Sequence, residues 1–203
     1  MGTVVLATRN KGKIAELGAM LAQYGLDVVG LDAFPEVGEV EEDGATFEEN
    51  ARKKARAVAE ATGLVAVADD SGLEVDALGG APGVYSARYA GPGADDAANN
   101  AKLLAALADV PAAGRACRFR CVMLARTPGG HELAAHGAWE GRVATAPAGE
   151  GGFGYDPLFI DAATGRHAAQ LTREEKNAVS HRGRALRALL AGWPDFLAGA
   201  GLE

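Results

Sequence analysis

The sequence predicts an α/β protein built on a mixed sheet, and three observations carry that reading. Short apolar runs, Val4 to Ala7 and Leu64 to Ala68, alternate with segments of helical periodicity. Cys117, Phe119, Cys121 and Met123 alternate with Arg118, Arg120 and Val122, the period of a half-buried strand. The 203 residues, 48% hydrophobic and 23% charged, suffice for a sizeable core and fit one bilobed domain over 1–203.

Taken in order, Val4 to Ala7 is a strand that gives way at Thr8-Arg9-Asn10 to a helix whose apolar series is Ile14, Leu17, Leu21 and Tyr24, ending at Gly25. Val28, Val29 and Leu31 form a second strand, followed by an acidic loop with Glu39, Glu41, Glu42 and Asp43. Thr46 and Glu49 have capping-box spacing at the start of a helix, Glu48 and Glu49 precede Arg52 and Lys53 by four residues, and Gly63 closes it. The strand Leu64 to Ala68 is expected to stop at Asp69-Asp70-Ser71-Gly72, and Gly79 to Gly93 to be loop. A helix then runs from about Asp95 to Leu107. A hairpin pairs the alternating strand with His131 to Trp139 across Pro128-Gly129-Gly130, Leu158 to Ile160 is a short strand, and helical sequence ends near Trp193.

A formal net charge of -7 argues against sequence-independent binding to duplex nucleic acid, which needs an array of cations. Val4 to Ala7 is too short for the apolar core of a signal peptide, and no stretch is long enough to cross a bilayer. Two cysteines, Cys117 and Cys121, suggest neither a disulfide framework nor a four-ligand zinc site. A reduced, cytoplasmic protein is expected.

Four segments can carry chemistry. In Thr8, Arg9, Asn10, Lys11, Gly12 and Lys13, cations stand where helix N–H groups attract anions; an ordinary cap by Asn10 with solvated lysines is the alternative. Asp69 and Asp70, placed after an apolar strand, can hold a hard cation such as Mg2+, with a further ligand from Glu41, Glu42 or Asp43; an Asx turn at Gly72 is the commoner fate. Gly151 to Pro157 sets Phe153 and Tyr155 among glycines, either as a wall on which a base stacks, with Asp156 accepting from a ring N–H, or as a turn with buried aromatics. Lys176, His181 and Arg182 would point three ways on an unbroken helix, about 100° apart per residue. For them to share a ligand the helix must break, and Ser180 is the predicted cap of a new helix starting at His181.

In this order the segments resemble the non-canonical purine nucleoside-triphosphate pyrophosphatases, also called dITP/XTP or inosine triphosphate pyrophosphatases. The likeness rests on Thr8-x-Asn10-x-x-Lys13, Thr46-Phe47-x-Glu49-Asn50-Ala51, Ala68 to Leu73, Gly79 to Arg88, Gly151 to Pro157 and Leu171 to Gly183, and runs from about Val4 to Leu190. It implies Mg2+-dependent cleavage between the α and β phosphates by a homodimer with an elongated, twisted mixed sheet, flanked by helices, in two lobes with the active site in the cleft between them. It assigns Asp70 as the catalytic carboxylate and a metal ligand, and Glu42 as a further ligand. Thr8 to Lys13 and Ser71 map onto the phosphate-binding residues, with Lys54 as an additional cation and Arg9 and Lys11 at variable positions. Phe153, Gly154, Tyr155, Asp156, Lys176, His181 and Arg182 map onto the nucleotide and base pocket.

The chemistry agrees with that mapping, because pyrophosphate release needs charge neutralisation and an oriented water. Hypoxanthine and xanthine present an acceptor at O6 where adenine presents a donor, so Arg182 donors aimed there would reject adenine. A related pyrophosphatase acting on other modified nucleotides and a non-catalytic nucleotide sensor are the rival readings.

Overall fold

The computed structural model describes residues 3–22 and 25–201; Tyr24, expected to complete the first helix's apolar series, lies outside them. Six strands form one sheet in the order β2-β1-β3-β4-β5-β6. They are β1 (Thr3–Leu6), β2 (Asp27–Gly30), β3 (Val65–Val75), β4 (Ala116–Arg126), β5 (Glu132–Val143) and β6 (Phe159–Asp161). β1 runs parallel to β2 and β3, whereas β5 and β6 are antiparallel, so the sheet is mixed as expected. The helices are α1 (Lys11–Ala22), α2 (Phe47–Thr62), α3 (Asp96–Ala106), α4 (Arg173–Val179), α5 (His181–Ala191) and α6 (Trp193–Gly199).

The chain divides into two compact units. The first draws on Met1–Asp70, Cys121–Gly137 and Arg182–Glu203; the second on Ser71–Arg120 and Ala138–His181. In the first unit Leu17 and Leu21 of α1, Val67 of β3, Met123 of β4 and Leu186 and Leu189 of α5 share a core. The second has its own, around Leu73, Leu103, Phe119, Trp139 and Phe159. A cluster that removes several large side chains from water, each contributing roughly 1.5–3 kcal/mol, gives each unit its own driving force.

Local signals set most helix ends. Thr46 Oγ1 accepts from Glu49 N–H at 3.1 Å, but Glu49 Oε2 accepts from Ala45 N–H, one residue outside the reciprocal capping box. Gly63 closes α2 in the left-handed conformation. Arg52 pairs with Glu48 as its spacing predicts, while Lys53 turns to Asp43 instead of Glu49.

Four expectations are corrected. β3 does not stop at Asp69 but continues to Val75, because Asp69 and Asp70 are both buried and both met by cations, so no turn is needed to return them to water. Leu31 belongs to a 3-10 turn after β2, and Gly83–Arg88 also winds into 3-10 turns within the expected loop. The helical C-terminal part passes Trp193, which opens α6 with Pro194 in its first turn, where a missing N–H costs nothing.

Glycine positions separate crowding from freedom. A Cβ on Gly141 would strike the Ile160 carbonyl and the Phe159 ring, whereas one on Gly18, inside α1, would meet nothing within 4 Å. Gly141→Ala should therefore lower stability by about 1–3 kcal/mol, and Gly18→Ala should raise it by roughly 0.5–1 kcal/mol. Urea unfolding, read as midpoints at unchanged slope, checks both signs.

Candidate active site

The first unit brings the opening segment and the paired carboxylates together. Asn10 Oδ1 accepts from Lys13 N–H at 3.1 Å, so Asn10 is the cap of α1, and Thr8 Oγ1 accepts from Asn10 N–H. Lys13 is not solvated: its ammonium lies 3.0 Å from Asp69 Oδ2 and its side chain is 14% exposed. Arg9 and Lys11 are exposed, and Arg9 Nη2 donates to the Val37 carbonyl at 2.7 Å. Gly12 is half-buried in the first turn of α1.

The neighbouring carboxylates have opposite electrostatics. Burial alone would push Asp69 up, yet Lys13, Arg182 and Lys54 outweigh it and hold the carboxyl well below its ordinary range. Arg182 Nε donates to Asp69 Oδ2 at 3.2 Å, and its Nη1 donates to Glu16 Oε2 at 3.1 Å. Asp70 is pushed up to about 6, chiefly by burial, with Glu42 adding to the shift and Lys54 and Lys13 opposing it. Lys54 Nζ donates to Asp70 Oδ1 at 3.1 Å and to the Asp69 carbonyl at 2.7 Å, and stands 3.3 Å from Glu42 Oε2. Burial would lower Lys54, but Asp70, Asp69 and Glu42 together hold the ammonium above its ordinary value.

Among the described residues, no group of three or more His, Cys, Asp or Glu is arranged to hold a metal by itself. Asp70 and Glu42 crowd one ammonium and remain short of positive charge, as the raised Asp70 carboxyl reports. Two oxygen donors of this kind fit a divalent cation that takes its other ligands from water or phosphate, the habit of Mg2+.

In the second unit, Asp156 Oδ2 accepts from Phe153 N–H at 2.9 Å and from Lys176 Nζ at 2.6 Å, and Lys176 Nζ lies 5.0 Å from the Phe153 ring centroid. Gly152 has a φ of 77°, and a Cβ there would collide with the Asp156 carboxylate, so the loop's tightness requires glycine. Gly154 is clamped from α3: its N–H donates to Asp96 Oδ2 and its carbonyl accepts from Asn100 Nδ2. Ser71 is a half-buried residue of β3.

Tyr155 is buried in the second core, and its hydroxyl donates to the Ser86 carbonyl at 2.8 Å. The two readings of this loop divide between its aromatics: Tyr155 is buried and Phe153 is half-buried, and a buried phenol is held by its partner and packing. The helix break occurs where predicted: Ser180, extended at φ −68° and ψ 160°, separates α4 from α5. The three residues around it nevertheless go to different partners. Lys176 joins Asp156, buried His181 stacks on Phe119 with ring centroids 4.7 Å apart, and Arg182 joins Asp69 and Glu16. Arg182 Nε and Nη1 are therefore directed at carboxylates. Burial pushes the Cys117 thiol up to about 12 and Cys121 higher still, so neither is a nucleophile at neutral pH.

Some participants carried no sequence signal. Glu16 lies far along the chain from Arg182, and Asp96 and Asn100 reveal their shared helix face only once Gly154 is beside it.

Fold and site together define a mixed-sheet α/β protein with buried carboxylate–lysine pairs, the equipment of polyphosphate chemistry. The family follows from comparison. A profile of the Ham1 family matches residues 4–192, and the chain belongs to that family. It is 66% identical to a dITP/XTP pyrophosphatase of Nitratidesulfovibrio vulgaris, covering 97% of this chain and 98% of that one. A dITP/XTP pyrophosphatase of Geobacter sulfurreducens is 53% identical over the whole of both chains. The solved structure of a HAM1 protein from Coxiella burnetii superposes with a TM-score of 0.87 at 44% identity, over 96% of this chain and all of that one.

The contrast between the two carboxylates is measurable. In chelator at pH 7.5, Asp69→Asn should lose about 3–5 kcal/mol, because it removes the buried charge that Lys13 and Arg182 share. Asp70 behaves in the opposite sense: its folded pKa exceeds the unfolded one, so its contribution is present at low pH and lost as pH rises from about 4 through 6. The stability of Asp70→Asn relative to the parent should therefore rise by about 1–3 kcal/mol between pH 4 and pH 8. Denaturant titrations at both pH values check it.

Proposed function

We propose that this chain hydrolyses non-canonical purine nucleoside triphosphates, ITP, dITP and XTP, to the monophosphate and pyrophosphate, and so cleanses the nucleotide pool. The observation that carries the reading is Asp70, a buried carboxylate set between Lys54 and Glu42 and pushed up to about 6. The names of the Nitratidesulfovibrio and Geobacter relatives support the substrate class.

Asp70, with Lys54 on one oxygen, offers a carboxylate that can take a proton from the attacking water. Lys54 and the N-terminal turn of α1, with Lys13, supply positive charge to the phosphates. Mg2+, held by Asp70 and Glu42, would add charge neutralisation on the triphosphate. For the base, Phe153 offers a ring face and Lys176, oriented by Asp156, is a donor suited to an acceptor at O6. A homodimer and a cytoplasmic location belong to the same proposal; no described helix is long and apolar enough to cross a membrane.

Pyrophosphate release from a panel of ITP, dITP, XTP, ATP, GTP and dUTP tests the assignment. A preference of about 100-fold or more in kcat/KM for ITP and XTP over ATP is expected, and equal or faster turnover of dUTP would redirect it to another nucleotide class. Chelation should abolish the activity and added Mg2+ restore it. Asp70→Asn should fold and lose about 10^2–10^4-fold in kcat.

A further inference from the structure

Asn50, on α2, has no solvent exposure, and both ends of its amide are engaged. Its Oδ1 accepts the Gly44 N–H at 2.8 Å, and its Nδ2 donates to Asp70 Oδ2 at 3.1 Å. A backbone N–H can only donate, so Gly44 dictates which end of the amide faces the loop and leaves the donor end for Asp70. Lys54, four residues on and therefore on the same face of α2, donates to the other oxygen, Oδ1. Two donors of different chemistry from one helix thus fix the plane of the carboxylate, and rotating it would break one of them.

Gly44 adds a separate constraint. Its backbone is not left-handed, yet a Cβ would fall 2.6 Å from Asn50 Oδ1 and 2.9 Å from Glu49 Cβ. Glycine is required there by close approach of the amide and not by torsion. Glu42 stands two residues earlier in the same loop, beside Lys54. One buried amide therefore holds both the face of Asp70 and the loop that carries Glu42.

We infer that Asn50 is a positioning residue for the pyrophosphatase reaction: it sets the orientation of Asp70 and pins the Glu42 loop through Gly44. The inference rests on the reading that Asp70 acts in the reaction. Asn50→Leu keeps the branched shape of the side chain and removes both hydrogen bonds; Gly44→Ala removes no polar group and displaces the amide. Outer partners of metal-holding carboxylates typically change activity by about 10–100-fold, so both variants should lower kcat on ITP by that factor with KM unchanged.

The discriminating measurement is a double-mutant cycle with Asp70→Asn. A positioning role requires that the loss of kcat caused by Asn50→Leu is much smaller in the Asp70→Asn background than in the parent, whereas a purely structural role makes the losses multiply in full. If Asp70→Asn keeps normal turnover, the reading of Asp70 itself fails. If Asp70→Asn is inactive but folded Asn50→Leu retains parental kcat, or the two losses multiply, the positioning role fails alone. Should Asn50→Leu not fold, Gly44→Ala decides: parental kcat in that variant overturns the inference, and a drop in kcat at constant KM upholds it.

Discussion

The carboxylate of Asp69, shut away from solvent on β3, is the contact on which the first unit's arrangement depends. Lys13 reaches it from α1, Arg182 from α5, and Lys54 of α2 donates to its backbone carbonyl. Three helices are thereby keyed to one residue of the sheet. An isolated buried charge would cost several kcal/mol, so the geometry persists only while the cations remain in place. That ties the start of α1, which offers positive charge to an anion, to the same strand that carries Asp70.

Asp70 differs from its neighbour because its cation is shared. Lys54 serves Asp70, the Asp69 carbonyl and Glu42 at once, and burial then prevails over attraction. Adjacent identical residues thus shift in opposite directions according to how fully cations serve each one. The second unit repeats the framework pattern at Asp156, which gathers Phe153 N–H and Lys176 and so gives the glycine loop a fixed shape without a regular element.

Legibility in the sequence followed the range of the interactions. The caps at Thr46 and Asn10 and the break at Ser180 could be read because each is decided within about four residues. The mixed α/β class could be read from the two periodicities. The continuation of β3 could not, because Asp-Asp-Ser-Gly favours a turn locally and only cations from distant helices reverse that preference. The partner of Arg182 lies 113 residues away, and no periodicity encodes it. The family resemblance implied roles for Asp70, Glu42 and Lys54, while Asn50 lay in a quoted motif without a role, since an amide's task is visible only when both of its partners are.

The seclusion of Asp69 also bears on ionic strength. Pairs such as Arg56 with Glu60 and Arg166 with Glu175 stand in reach of counterions and fade as salt rises, whereas the Asp69 contacts are closed to them. Salt will therefore leave the keyed helices in place and act mainly on the approach of a polyanion to a chain of net charge -7. Dilute salt already softens that long-range repulsion.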